Sequence, residues 1–226
     1  MDLDKAFKTL NFWINKYLGG FYSIEELTDV VNNGQMSYYT DIKPKYATSN
    51  LIKEILAPFR EEYEFTPTTT VSGIISVPSN SNYLDLLDIQ IQFQISNRTV
   101  YAPITMINED ERAQRLNSQI DPVTATSPIG EILKPRFFRI YPLGGYTGRV
   151  TYFRKPADVV YGYTTVSGRV IVYNPATSTQ LEWRASEVLP ILIKALENIG
   201  INLSAQDVEQ FAQNQAAENY AGVNKI

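Results

Sequence analysis

Residues 89–95, Ile89-Gln90-Ile91-Gln92-Phe93-Gln94-Ile95, alternate apolar and polar side chains without a break. Successive side chains of a strand point to opposite faces, so the pattern reads as a half-buried strand with a row of glutamines facing outward. The surroundings have the same texture. Upstream, from Phe65, Thr-rich stretches such as TVSGIISVP read as short strands and turns punctuated by Gly and Pro. Downstream, Arg98–Tyr101 continues past a predicted turn at Ser96-Asn97. Further strands are predicted at 136–141 and 148–154, and as a pair at 162–166 and 169–173 around a tight turn at Ser167-Gly168.

Helical patterns frame this middle region. Leu3, Ala6, Phe7, Leu10, Trp13, Ile14 and Tyr17 recur at steps of three and four, and Gly19-Gly20 ends the run. Ser23 with Glu26 forms a capping box, predicting a helix from Ile24 to about Val31 that stops near Asn32-Asn33-Gly34. A third helix fits 49–60, with Leu51, Ile52, Ile55 and Leu56 on one face. Near the other end, Leu189, Ile191, Leu192, Ile193, Ala195, Leu196 and Ile199 fill a strongly apolar helix closed by Gly200. Ser204 opens a last, polar helix through Val208 and Phe211 toward Asn219, whose thin apolar face suits docking on a partner or a solvated edge. The expected fold is therefore α+β: a helical bundle from residues 1–64 and 183–226, with an inserted β-rich, sandwich- or barrel-like domain at 65–182.

Composition narrows the chemistry. The 226 residues include no His and no Cys, which removes thiol nucleophiles, Ser–His and Cys–His dyads, zinc fingers and imidazole proton shuttles. A disulfide framework is likewise excluded, which suits folding inside a cell. The net charge of −4 sets up no global field to attract nucleic acid. With no long apolar run and an acidic start, MDLDKAFKTL, the sequence predicts a soluble chain without signal peptide or membrane span. Aromatics make up 12%, and Tyr alone accounts for 15 residues, which fits both strand propensity and protein contact surfaces.

The candidate chemical motifs have structural explanations. Glu25-Glu26, Glu61-Glu62 and Glu109-Asp110-Glu111 sit near predicted helix ends, where capping accounts for them better than paired-carboxylate hydrolysis. Asp85 and Asp88 lack the loop pattern of a cation site. YPLGGYTGR, 141–149, superficially resembles a phosphate loop, but a strand rather than a helix follows, so a hairpin turn is expected. Arg136, Arg139, Arg149, Arg154 and Lys155, interleaved with Phe137, Phe138, Tyr146 and Tyr152, make either a modest nucleic-acid surface or one solvated strand face. Residues 107–131 combine a short polar helix, 109–116, with a Ser/Thr/Pro-rich remainder. A loop of that length carries function or wraps a neighbour, or is an exposed insertion.

From Ser127 onward the chain resembles neck and ring structural proteins of tailed bacteriophages, especially the crAss-like phages of Bacteroides. The resemblance is carried by SPIGEILKPRFFRIYP with Tyr141-Pro142, by YFRKP at 152–156, and by STQLEW at 178–183. The apolar helix ending at Gly200-Ile201 and the Gln/Ala-rich tail complete it. It covers about the last hundred residues; the helical N-terminus matches only in kind. It implies a head-to-tail adaptor in the virion neck, made in the host bacterial cytoplasm. Copies would close into a ring, commonly twelvefold, with a portal protein and other neck and tail proteins as neighbours. Packaged DNA would pass through the bore without sequence-specific binding. It implies no catalytic centre, no cofactor and no metal, and no membrane partner. Candidate contact residues are Tyr152, Arg154 and Trp183, Arg112 and Arg115 in the long loop, and Phe211 and Tyr220 in the tail, 206–226. Trp183 also reads as plain core. The alternatives are a carbohydrate-binding or adhesin module, suggested by the β-rich middle and its aromatics, and a carboxylate-based hydrolase.

Overall fold

The computed structural model describes residues 2–20, 22–67, 73–95, 98–166 and 170–203. The turns predicted at Ser96-Asn97 and Ser167-Gly168, and the polar helix from Ser204 with Phe211 and Tyr220, lie outside the described residues. The fold is α+β. Its helices are α1 (Leu3–Leu18), α2 (Ile24–Ile42), α3 (Asn50–Leu56), α4 (Glu109–Leu116) and α5 (Val188–Asn198). Its strands are β1 (Arg60–Phe65), β2 (Ile74–Ser76), β3 (Tyr83–Ile95), β4 (Arg98–Pro103), β5 (Thr105–Ile107), β6 (Ile129–Lys134), β7 (Phe137–Tyr141), β8 (Thr147–Arg154), β9 (Tyr163–Val166) and β10 (Val170–Tyr173). The chain divides into two compact units, Met1–Pro58 with Pro156–Ile226, and Phe59–Lys155.

The first unit draws its core from both ends of the chain. Asp2 caps α1 through its side chain, and Gly19, at φ 63°, closes it in the left-handed conformation. The periodic face of α1, Leu3 to Ile14, is buried with Leu27, Val30 and Val31 of α2 and Val188, Leu192, Ala195 and Leu196 of α5. Val159 joins the same cluster, and Phe7 stacks on Tyr161 with ring centroids 4.5 Å apart. Val159, Tyr161, Tyr173 and Leu181, in the stretch grouped with the β-region in the sequence, therefore pack with the helices.

Helix α2 differs most from its sequence reading. The capping box at Ser23 and Glu26 forms, but the helix runs eleven residues past Val31, straight through Asn32-Asn33-Gly34. The turn-forming residues are put to tertiary use instead. Asn32 exchanges hydrogen bonds with the backbone of Val159, its Oδ1 accepting from the N–H at 2.7 Å. Gly34 meets α5 so closely that a Cβ there would lie 2.6 Å from that of Ala195. Helix α3, capped by Ser49, is shorter than predicted: after Leu56 the chain makes a 3-10 turn over Ala57–Phe59 and enters β1 at Arg60. Pro58 has no N–H with which to extend the helical ladder.

The second unit holds two four-stranded sheets, ordered β1-β8-β3-β4 and β2-β7-β6-β5. All pairings are antiparallel except β5 with β6. Both sheets feed one buried cluster, including Phe65, Ile89, Ile91 and Val150 from the first and Ile75, Phe138 and Ile140 from the second. The apolar positions of IQIQFQI behave as expected at Ile89 and Ile91, each 1% exposed. The alternation marked only half of its strand, since β3 begins at Tyr83. The loop 142–146 is not a hairpin turn within a sheet: β7 and β8 belong to different sheets, so it carries the chain from one to the other. Strands β9 and β10 form a separate two-stranded ribbon.

The contact at Gly34 yields a prediction with an unusual sign. In an open helix Gly→Ala stabilises by about 1 kcal/mol, but Gly34→Ala is expected to destabilise by about 1–3 kcal/mol through overpacking against α5. Urea denaturation measures it. Unchanged or higher stability would show that α2 and α5 do not approach this closely.

Candidate protein interfaces

Trp183, a sequence candidate for surface contact, is core. It is 6% exposed, and its indole N–H donates to the Oε1 of Gln35 at 3.2 Å. The Gln35 amide in turn donates to Asn32 Oδ1 at 2.9 Å and to the carbonyl of Ala157 at 3.1 Å. Tyr38, one turn on, packs edge-on against the Trp183 ring at 5.4 Å and donates to Glu187. Burial, then the Glu187 carboxylate, push the Tyr38 phenol well above its ordinary range. This is a hydrogen-bonded polar network inside the first unit, with the Trp183 ring buried in it.

Tyr152 is also core, 3% exposed, and its hydroxyl donates to Glu61 at 2.9 Å. Glu61 pairs in register with Tyr152, which sets it diagonal to Arg154 on the same face, and the Arg154 guanidinium reaches it at 3.1 Å. Glu62 similarly meets Arg149 at 3.6 Å, while Arg149 also donates to Gln90 at 3.0 and 2.9 Å. The acids expected at a helix end thus lie on β1, where they neutralise the arginines of β8. The supposed basic-aromatic stripe is broken up: Phe138 and Tyr152 are buried, and Arg149 and Arg154 are ion-paired. Beside Tyr152, Tyr83 packs at 5.5 Å, and burial followed by the nearby Asp85 charge pushes its phenol up to about 12.

The long loop is held by charge rather than by apolar packing. Helix α4 forms where the sequence placed it, with its acids in the first turn, and buries none of its residues. Arg112 donates to both oxygens of Glu131 at 2.9 and 3.2 Å, and Tyr141 donates to the same carboxylate at 3.4 Å. Glu131 is 5% exposed, so this pair clips α4 to β6. Arg115 closes the following turn on Asp121 at 2.6 Å. The two arginines are therefore internal clips. The residue missed in the sequence was Glu131; an acid amid IGEIL in a buried strand signals a charge that must find a partner.

The segment also leaves apolar side chains outside. Ile120 is 99% exposed and Leu116 42%. Ile132 and Leu133 stand on the rim of a cavity of about 450 Å³ that Met106, Arg112, Glu131 and Arg139 also line. On the β9–β10 ribbon, Tyr163, Ile171 and Val172 are exposed, and among the described residues neither strand has a second partner. Such surfaces suit protein contact and strand addition. Among the described residues no helix is long and apolar enough to cross a membrane, and no group of three or more acids is placed to hold a metal ion.

No protein-family model matches this chain, and no curated protein matches it.

Two outcomes test the clips. Arg112→Ala leaves Glu131 buried without its cation and is expected to lower the urea midpoint. Hydrogen exchange should speed up more than tenfold across 109–128 with β8 unchanged; equal protection would mean the ion pair does not hold the loop. For Tyr83, the raised phenol pKa means its contribution is complete below pH 10 and is lost as the pH climbs toward 12. Urea midpoints should fall over that interval, and fall less in Tyr83→Phe.

Proposed function

We propose that the chain is a structural virion protein of a tailed phage, a ring component of the neck that joins portal to tail around the DNA channel. The motif order from Ser127 to the C-terminal tail suggests the class. The observation that carries the reading is Ile120: a fully exposed aliphatic side chain on a segment pinned by the Arg112–Glu131 and Arg115–Asp121 pairs. Covering Ile120, and Leu116 in the same segment, with a partner surface would remove apolar area from water, which favours association. The exposed ribbon β9–β10 supports the same reading.

In this reading the helices of the two chain ends form a bundle that carries the middle as an inserted β-domain, and copies close head to tail into a ring, twelvefold in the commonest case. Tyr152 and Trp183 set the shape of the subunit from within. The intersubunit contacts fall to the loop 107–131, the ribbon and the tail 206–226. A net charge of −4 suits a bore through which DNA slides without being held.

Native mass spectrometry of the full chain, alone and with the portal ring of its phage, tests the proposal. A closed high-order oligomer, formed alone or on the portal, is the expected result. Ile120→Asp should weaken that assembly at least tenfold without lowering the urea midpoint. A strict monomer that ignores the portal and binds glycans would replace this reading with an adhesin module.

A further inference from the structure

Arg139 lies directly opposite Glu131 in the β6–β7 register, the standard position for a cross-strand ion pair. The pair does not form, because the Glu131 carboxylate is taken by Arg112 and Tyr141. Arg139 is left half-buried in the 450 Å³ cavity, beside exposed Ile132 and Leu133, with no ion-pair or hydrogen-bond partner among the described residues. A half-buried guanidinium without a partner fits a carboxylate, which takes two parallel N–H donors.

The chain also presents the complementary surface. Glu25 and Asp29, four apart on α2, are exposed and have no cation partner among the described residues. They line a cavity of about 310 Å³ with Val160, Tyr161 and Tyr163, of which Val160 is 49% and Tyr163 42% exposed. One surface is an uncompensated cation beside two exposed aliphatic residues; the other is two uncompensated anions beside an exposed valine and tyrosine. Different patches on the two faces of one contact are what a heterologous, ring-closing interface requires.

We propose that the Arg139 cavity of one copy receives the Glu25 or Asp29 carboxylate from α2 of the next. This rests on the ring reading above, and adds to it the pair of surfaces that close the ring and fix its direction. A protein carboxylate fits better than a DNA phosphate, since Glu109 and Glu131 balance Arg112 and Arg139 in the cavity lining, which leaves donors for one carboxylate but no net positive field to hold a polyanion.

A charge swap on the full chain decides it, read by sedimentation velocity under the conditions in which the wild type assembles. Arg139→Glu, and separately Glu25→Arg with Asp29→Arg, should each weaken assembly at least tenfold; Arg139→Gln, which places no second carboxylate opposite Glu131, should also weaken it, and neither this variant nor the Glu25/Asp29 pair should change circular dichroism or the urea midpoint. All three substitutions in one chain should restore it. Wild-type-like assembly by Arg139→Glu overturns the pairing but leaves the ring reading standing. Loss in both single-surface variants without rescue shows that the two surfaces do not face each other, and also overturns it. A wild type that stays monomeric with and without the portal removes the ring reading itself. Duplex DNA binding by the wild type that Arg139→Glu abolishes would assign the cavity to phosphate instead.

Discussion

The fully buried carboxamide of Gln35 holds together three parts of the first unit that are distant in sequence. Its oxygen accepts from the Trp183 indole, and its nitrogen donates to Asn32 and to the carbonyl of Ala157. Asn32 extends the network to both backbone groups of Val159. Leaving any of these buried groups unpaired costs the full desolvation penalty, about 1–3 kcal/mol each. The network therefore selects one register of the extended segment 157–159 against α2. That register sets Val159 and Tyr161 into the helical core and starts the path toward β9.

In the second unit the corresponding constraint is the pairing of β8 with β1 and β3. Strand β8 carries Val150 and Tyr152 into the core and four charged or polar contacts to its neighbours: Arg149 with Glu62 and with Gln90, Tyr152 with Glu61, and Arg154 with Glu61. A slip of one residue would reverse the faces of all of them at once. The same register breaks up a stretch rich in Arg and aromatic residues: Phe138 and Tyr152 are core, and Arg149 and Arg154 are ion-paired with β1.

The functional reading depends on what these two frameworks leave unsatisfied. The clips at Arg112 and Arg115 fix backbone that has no apolar packing of its own, and so present Leu116 and Ile120 to solvent. Among the described residues Arg139 is unpaired for a related reason, since its cross-strand acid serves the loop. Exposed apolar groups and half-buried unpaired charge are costly in a lone subunit, and both are relieved by association. The proposed ring uses surfaces that the fold positions but does not itself need.

The sequence by itself determined what local chemistry controls. The periodic face of α1 and its glycine end, the capping box of α2, the position of α4, the apolar run of α5 and the alternating half of β3 were all legible, because each signal lies within a turn or two of the backbone it governs. So was the α+β class. Tertiary structure decided the rest. Asn32-Asn33-Gly34 reads as a stop, yet α2 continues, because Val159 and Ala195, more than a hundred residues away, use the amide and the missing Cβ. Glu61-Glu62 reads as a helix end and is a strand, because its partner is β8. Trp183 and Tyr152 read as surface or core, Trp183 more readily as core, since an aromatic side chain looks the same in sequence whether its polar tip finds water, a partner or, as here, Gln35 and Glu61. Burial belongs to what surrounds a residue, and for these positions the surroundings come from distant parts of the chain.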